Sequence, residues 1–530
     1  MKKKILSLLL SGAMCLTLLS SCSSNVSEPQ TETDPPSPET TVSESTAITT
    51  DVQTAEPAET TVTAEATEPL PETEATASAT AQTADTAASE SASIQTTPKP
   101  EITATTTAAT TPKPTVTTTV TAATTPKPAV TTTTTATTTP KPAVTTTTTA
   151  ATTPKPSESN YPTVPSNNSS SNHKKSAANI TAMELYKKMT AGWNLGNSLD
   201  AVGSGLSSET AWGNPKTTKE LINAVKAAGF DTIRIPVTWM GHFDKNTYKI
   251  DEAWLKRVDE VINYALANDM YVIINIHHDG NDTNQSWLTP KPDDEAAMIN
   301  QFDIIWYQIA TYFKDYDEHL LFAGMNEFHK GYNNPSKNYL ELTDTLNQTF
   351  VNTVRATGGN NSDRILIVQA YNTNGDQSLK MTMPKDTASN KLMAEIHFYD
   401  PWNFAGEGKG DWGKTGKNTD GWGQEDWVDT LFERIKNNFV DKNIPVVLGE
   451  YGAVNNKNGN DDHRRYYIEY VTKSAKEHGL LPIWWDNGND SNSGEAFALF
   501  DRHSYKKLHE DIHEAIMRAI SGKNYTIELP

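Results

Sequence analysis

Cysteine is almost missing from this chain, with two in 530 residues, Cys15 and Cys22, both near the amino end. Any folded domain further on therefore has no disulfide and no thiol chemistry. Positive charge is also in deficit, with a formal net charge of −20 and a sequence pI of about 5.1. That balance argues against a nucleic-acid backbone or an anionic lipid surface as partner, and leaves a neutral polymer compatible. The one long apolar run, Ile5 to Leu19, is too short to span a bilayer comfortably. No G-x-G-x-x-G follows a β-rich run, so the dinucleotide fingerprint is absent. Before Tyr161 there is almost no aromatic residue, whereas all 12 Trp fall between Trp193 and Trp485. The packed core and any ligand-stacking surface must lie in that second part.

What stands at the start reads as an export signal: Lys2, Lys3 and Lys4, the apolar run, then small residues. Leu19-Ser20-Ser21-Cys22 resembles a bacterial lipobox. Residues 1–21 are thus expected to be removed and Cys22 lipidated, giving an extracellular protein tethered to the bacterial cell membrane through that lipid alone. A plain secretory signal with an incidental cysteine is the alternative. Residues 22–175 consist mostly of Thr, Ala, Pro, Ser and Glu, with Thr-Thr-Pro-Lys-Pro recurring at Pro98, Pro112, Pro126, Pro140 and Pro154. Such a segment cannot bury enough apolar surface to offset the cost of ordering it, and its prolines favour an extended, semi-rigid disordered spacer.

Residues 176–522 alternate short β-rich runs with amphipathic helical stretches. The candidate strands are Gly192 to Leu195, Thr232 to Pro236, Tyr271 to Asn275, Leu320 to Gly324, Ile365 to Gln369, Leu392 to His397, Val446 to Gly449 and Leu481 to Trp485. Candidate helices include Lys219 to Ala228, opened by a Thr217-x-x-Glu220 capping box, Trp254 to Asn268, opened by Asp251, and His503 to Ile520. Parallel strands need crossover helices, so eight strands separated by helices predict an α/β (β/α)₈ TIM barrel, with a doubly wound open sheet as the competing arrangement.

In a barrel the chemistry sits at the carboxyl ends of the strands. There the chain places Arg234 and Trp239, His277-His278-Asp279, Asn326-Glu327, His397-Phe398-Tyr399, Glu450-Tyr451 and Trp485-Asp486-Asn487. A single glutamate after a strand is ordinarily a solvated loop residue. Two of them, on the fourth and seventh strands and surrounded by Arg, His, Tyr and Trp, form the apparatus for cleaving a glycosidic bond. One carboxyl must be protonated and the other ionised, so their surroundings must separate their pKa values. His277, His278, Asp279 and Glu327 could also be imagined around Zn²⁺ or Fe²⁺. Adjacent histidines on a strand point to opposite faces, which argues against that set, and no metal or cofactor is expected. Trp306 and Trp427 lie in helical patterns and read as packing. Trp212, Trp239, Trp287, Trp402, Trp412 and Trp422 lie where a ring could stack on a sugar.

The motifs Gly192-Trp193-Asn194-Leu195-Gly196-Asn197, Ile233-Arg234-Ile235-Pro236-Val237, Asn275-Ile276-His277-His278, Asn326-Glu327, His397-Phe398-Tyr399, Gly449-Glu450-Tyr451-Gly452 and Trp484-Trp485-Asp486-Asn487-Gly488 occur in this order. Together they resemble the glycoside hydrolase family 5 cellulases, in particular the endoglucanases and xyloglucanases of subfamily 4. The resemblance implies a retaining endo-β-1,4-glucanase acting on cellulose and related β-glucans, with Glu327 as acid/base and Glu450 as nucleophile. It further implies that Asn326 bonds a sugar 2-hydroxyl, that Arg234 and Tyr399 hold Glu450, that His277 and His397 orient the carboxyls or bind hydroxyls, and that Trp485 floors the cleavage subsite. Asn194, His278, Trp212 and Trp402 complete the expected substrate-binding set. Phe328-His329-Lys330-Gly331 and Asp400-Pro401-Trp402 depart from the commonest pattern where substrate would lie. Xyloglucan, mixed-linkage glucan, xylan and mannan therefore remain alternative substrates. The competing class is an inactive cell-surface carbohydrate-binding lipoprotein, and a monomer is expected.

Overall fold

A computed structural model describes residues 161–280, 286–290, 294–332, 335–455, 459–491 and 494–530. The export signal, Cys22 and the Thr-Thr-Pro-Lys-Pro repeats lie outside the described residues. Eight strands, β1 (Gly192–Asn194), β2 (Thr232–Ile235), β3 (Tyr271–Ile274), β4 (Leu320–Ala323), β5 (Leu366–Asn374), β6 (Leu392–Phe398), β7 (Val446–Tyr451) and β8 (Leu480–Trp484), close in sequence order into a barrel. All eight pairings are parallel, including β1 with β8. The expected (β/α)₈ barrel is the fold, and each predicted strand overlaps an observed one.

The helices are α1 (Ala182–Tyr186), α2 (Lys219–Ala227), α3 (Glu252–Leu266), α4 (Glu295–Phe313), α5 (Lys337–Ala356), α6 (Gly375–Ser378), α7 (Trp402–Ala405), α8 (Glu425–Asn438), α9 (Asp461–Glu477) and α10 (Glu510–Ile520). The main core lies between strands and surrounding helices, where α3 buries Trp254, Leu255, Val258, Val261 and Ile262. A second apolar cluster joins Ile273, Leu321, Ile367, Met393, Val447, Leu481 and Ile483 to Ile180, Ala182, Leu185 and Met189. Alternation along a strand sends these residues to the barrel interior, and α1 packs against them. A capping box sets α1, with Glu184 N–H donating to Thr181 Oγ1 at 3.2 Å and Thr181 N–H to Glu184 Oε2 at 2.8 Å.

Three local readings change. The N-cap of α2 is Thr218, whose hydroxyl accepts from Leu221 N–H, and no capping box forms. Thr217 instead donates its N–H to Glu209 Oε1 at 2.7 Å. The last helix begins at Glu510, because Asp501 accepts from the N–H groups of His503 and Ser504 and Tyr505 is left-handed at φ 62°. Short polar side chains that bond nearby backbone compete with the helix in this way. The ordered domain also starts before residue 176. Tyr161 stacks on Tyr307 at 3.8 Å and donates its hydroxyl to Asp303, and Asn167 donates to Asp259. At the other end Ile527 packs on the core beyond residue 522.

This leading segment is pinned at Asp317, which is fully buried and within 3.1 Å of His173 Nδ1, 3.0 Å of His319 Nδ1 and 3.3 Å of Lys175 Nζ. Burial raises its pKa, but the bonds and charge of His319 and the charge of His173 prevail and hold it at about 2. A carboxyl depressed on folding contributes stability above its unfolded value and loses it as pH falls toward the folded one. Asp317→Asn should lower the thermal midpoint by a few °C, on the order of 1 kcal/mol after screening, and flatten the midpoint's fall between about pH 4 and pH 2. Calorimetry across that range checks it.

Candidate active site

Arg234, projecting from β2 with no exposed surface, organises the site. Its Nη1 donates to Glu450 Oε1 at 2.8 Å and to Asn194 Oδ1 at 3.0 Å, and its Nη2 donates to Asn326 Oδ1 at 2.6 Å. Its Nε lies 3.0 Å from Glu395 Oε1. One planar guanidinium thus joins groups from β1, β6 and β7 and from the end of β4, a task its fixed fork suits and a lysine could not perform. The acids around Arg234 outweigh its burial and keep it charged.

Glu327 follows β4 in a left-handed conformation, φ 43°, which an ordinary side chain occupies only when its surroundings impose it. Its N–H donates to Thr373 Oγ1 at 3.0 Å, and Thr373 sits in an irregular stretch of β5 with φ 45°. The register also shifts between β6 and β7 at Ile396/His397, after which His397 pairs with Glu450. Such irregularities re-aim side chains at a barrel mouth. His397 Nδ1 is 2.8 Å from Glu327 Oε1 and 3.5 Å from Glu450 Oε2. The Tyr399 hydroxyl donates to Glu450 Oε2 at 3.2 Å. One oxygen of each glutamate and one nitrogen of His397 all lie within 4.8 Å of one another.

Electrostatics separate the two acids. Burial would lower His397, but the Glu450, Glu327 and Glu395 carboxylates raise it to about 9, so it is an imidazolium at neutral pH. Burial raises Glu327, yet the bond and charge of His397 hold it below the usual range. Glu450 is raised by burial and by the charge of Glu327, against the pull of His397 and Arg234. The two acids titrate as a pair, so a proton gained by one changes the other.

Aromatic rings lie beside these acids. Trp485 lies parallel to His277, centroids 5.8 Å and planes 7° apart, and a side chain at Gly196 would strike its ring. Burial keeps His277 neutral, and its Nδ1 meets Asn275 Nδ2 at 3.0 Å. Asp486 anchors the following loop by accepting from Trp193 Nε1, Leu499 N–H, Phe500 N–H and Arg502 Nη2.

Most of the residues expected in the site meet there, with some corrections. Asn194 is not open to a sugar. It is fully buried, bonding Gly449 O through Nδ2 and Arg234 through Oδ1, and braces β1 against β7. Trp239 and Trp412 are fully buried and cannot stack on a ligand. Trp212 is 37% exposed with His278 at its face, Trp422 is 42% exposed, and Trp402 and Trp287 are partly buried. His277 and His278 do not diverge, because β3 ends at Ile274 and their rings meet edge to face at 4.4 Å beyond it. Asp279 cannot join them around an ion with Glu327, since its carboxylate accepts from Trp239 N–H, Met240 N–H and Trp287 Nε1. Among the described residues, Asp200–His277–His278 and Glu327–His397–Glu450 are the groups near the cleft spaced to hold an ion, and in the second Arg234 already pairs with Glu450. Glu395, Gln369 and Thr373 were missed. Glu395 had a signal, because it stands two residues before His397 and period-two alternation puts both on one side of β6.

The family model of cellulase (glycosyl hydrolase family 5) matches residues 199–491. Endoglucanase A of Paenibacillus barcinonensis is 39% identical over 373 residues, 66% of this chain and 93% of that protein. The family 5 xyloglucanase of Paenibacillus pabuli, solved with a ligand, is 40% identical with TM-score 0.61, covering 64% of this chain and all of that one (100%). The GH5-4 broad specificity endoglucanase of Bacteroides salanitronis is 37% identical with TM-score 0.62, covering 66% and 97%. With seven motifs, a closed eight-stranded barrel and both glutamates at its mouth, this chain belongs to glycosyl hydrolase family 5, the cellulase family.

Proposed function

We propose that this protein is an endo-β-1,4-glucanase that cleaves internal bonds of cellulose and related β-glucans with retention, Glu450 attacking the anomeric carbon and Glu327 serving as acid and then base. The observation that carries the reading is the approach of the two carboxylates, with an oxygen of each within 4.8 Å of the other. Retaining enzymes hold their carboxyls about 5–5.5 Å apart, whereas inverting ones leave about 6.5–9.5 Å for a water.

Glu327, with 29% of its side chain exposed, is a solvated anion beside the His397 imidazolium. A sugar covering Glu327 removes that water and favours its protonated form. Once Glu327 is neutral its charge no longer opposes ionisation of Glu450, which keeps the donors Arg234 and Tyr399. Each change supports the other and leaves an acid facing a nucleophile. Arg234 occupies Asn326 Oδ1, so Asn326 Nδ2 is the donor a sugar 2-hydroxyl meets. Trp485 supplies the apolar floor. Trp212 and Trp402 serve successive sugars, with His278 beside the first.

Xyloglucan is a second substrate supported by a specific observation, since two of the similar proteins, from Paenibacillus pabuli and Bacteroides ovatus, are xyloglucanases. The enzyme acts outside the cell as a monomer, held by a lipid on Cys22 with residues 22–160 as spacer. On carboxymethyl cellulose, viscosity should fall much faster than reducing ends accumulate, because one mid-chain cut halves a polymer and releases a single end. Parallel change with cellobiose as the sole early product would contradict internal cleavage. Running xyloglucan alongside ranks the two substrates.

A further inference from the structure

Glu395 is a third carboxylate under the site, fully buried, and it touches no place a substrate can reach. We infer that it is a positioning residue that fixes one proton on His397 Nε2, so that the other imidazole proton, on Nδ1, is the one Glu327 draws on as an acid. This rests on the retaining assignment given above.

The geometry is specific. Glu395 Oε1 lies 3.4 Å from His397 Nε2 and 3.0 Å from Arg234 Nε, ion-pair contacts outside hydrogen-bond geometry that leave these three buried atoms facing only one another, while Oε2 accepts from Gln369 Nε2 at 2.6 Å. Gln369 is the register partner of Glu395 on β5 and also accepts from Met325 N–H, two residues before Glu327. The space for the carboxylate is reserved, because a side chain at Gly449, next to Glu450, would collide with Glu395 Oε1. His397 therefore meets a carboxylate at each nitrogen, Glu395 at Nε2 and Glu327 at Nδ1, with Glu450 further off. Arg234 and neutral His277 also act on this cluster, Tyr399 bonds Glu450, and Glu495 adds a negative field from the loop after β8. A buried carboxylate left without cations would itself take up a proton, but Arg234 and His397 outweigh burial and keep Glu395 ionised.

The proton balance follows. With Nε2–H held toward Glu395, the Nδ1 proton passes to Glu327 Oε1 as a sugar desolvates that carboxylate, leaving neutral His397. Glu327 then gives the proton to the departing glycosidic oxygen while Glu450 forms its bond to the anomeric carbon and the glycosidic bond breaks. In the second half Glu327 takes a proton from water as the water oxygen bonds the anomeric carbon and Glu450 leaves, and that proton returns to Nδ1. No other reactant is required.

The test is the pH dependence of kcat/KM on a soluble β-glucan for E395Q and E395D. Loss of the Glu395 charge weakens the imidazolium, so E395Q should move the basic limb down by about one pH unit or more, roughly tenfold in rate on that limb, whereas E395D should keep it in place. Equal limbs in wild type and E395Q, with only a lower plateau, would overturn the proposal. If E395Q does not fold, nitrogen NMR of His397 in the wild type decides, with both nitrogens protonated at pH 8 expected and a neutral ring at pH 7 overturning. The first anomer released by E395D should remain β; release of α first would instead overturn the retaining assignment.

Discussion

Glu450→Ala should abolish turnover on every substrate, by roughly 10⁴-fold or more, since no other group can form the glycosyl bond. Glu327→Ala should behave differently. On polysaccharide it should lose on the order of 10²–10⁴-fold, the usual worth of general acid–base assistance. On an aryl glycoside whose leaving group departs unaided, the first step should survive and the second should stall for lack of a base. Azide, which needs no base, should then restore turnover and yield a β-glycosyl azide. The contacts distinguish the two acids in the same sense, because Glu450 is gripped by Arg234 and Tyr399 whereas Glu327 is partly exposed and meets His397; the ionisation, with Glu327 below and Glu450 above the usual range, is what a bound sugar has to invert. If Glu450→Ala were instead the variant that azide rescues as the β-glycosyl azide, the two roles would have to be exchanged.

Arg234→Met should come next in size, through a different cause. It leaves Glu395 and Glu450 buried without their shared cation, which costs about 3–5 kcal/mol when one partner of a buried pair is removed. Both carboxyls would then favour the protonated form, and a protonated Glu450 cannot attack. The expected result is a lower thermal midpoint together with an acidic limb of kcat/KM displaced to higher pH. Arg234→Lys should keep more of the stability, since a charge remains, but lose most of kcat, because an ammonium cannot reach Glu450, Asn194, Asn326 and Glu395 from one position. Unaltered pH limbs in a folded Arg234→Met enzyme would show that the guanidinium does not set the ionisation of Glu450.

The legible part of the sequence was what repeats or stands directly after a strand. Apolar runs bounded by helical patterns predict all eight strands, and the polar residues following them, Glu327 and Glu450 above all, converge at one mouth. What escaped depends on three-dimensional detail. Asn194 sits in a motif beside the cleft yet spends its amide on Gly449 and Arg234, which no spacing reveals. The histidine pair looked divergent because the strand was extended to Asn275, one residue past Ile274. Trp239 reads as a strand-end platform, but its indole N–H donates to Asn275 O beneath the surface. Glu395 lay inside a strand, where a charged residue registers as an exception to the apolar pattern, although its cations come from β2 and from two residues along β6. The segment from Tyr161 to 175 shares the polar texture of the spacer, and what joins it to the domain is three-dimensional, contacts with Tyr307, Asp303, Asp259, Tyr316 and Asp317 among them.

The central claim is a covalent glycosyl–enzyme formed on Glu450. A 2-deoxy-2-fluoro cellobioside with a good leaving group forms such an adduct and slows its hydrolysis, because the fluorine destabilises the oxocarbenium-like transition states while the leaving group keeps the first step fast. Peptide mass mapping of the inactivated enzyme should place one fluorosugar on the peptide containing Glu450, with activity returning as the label is lost. A label on Glu327, or steady turnover with no adduct and the α-anomer released first, would contradict the account.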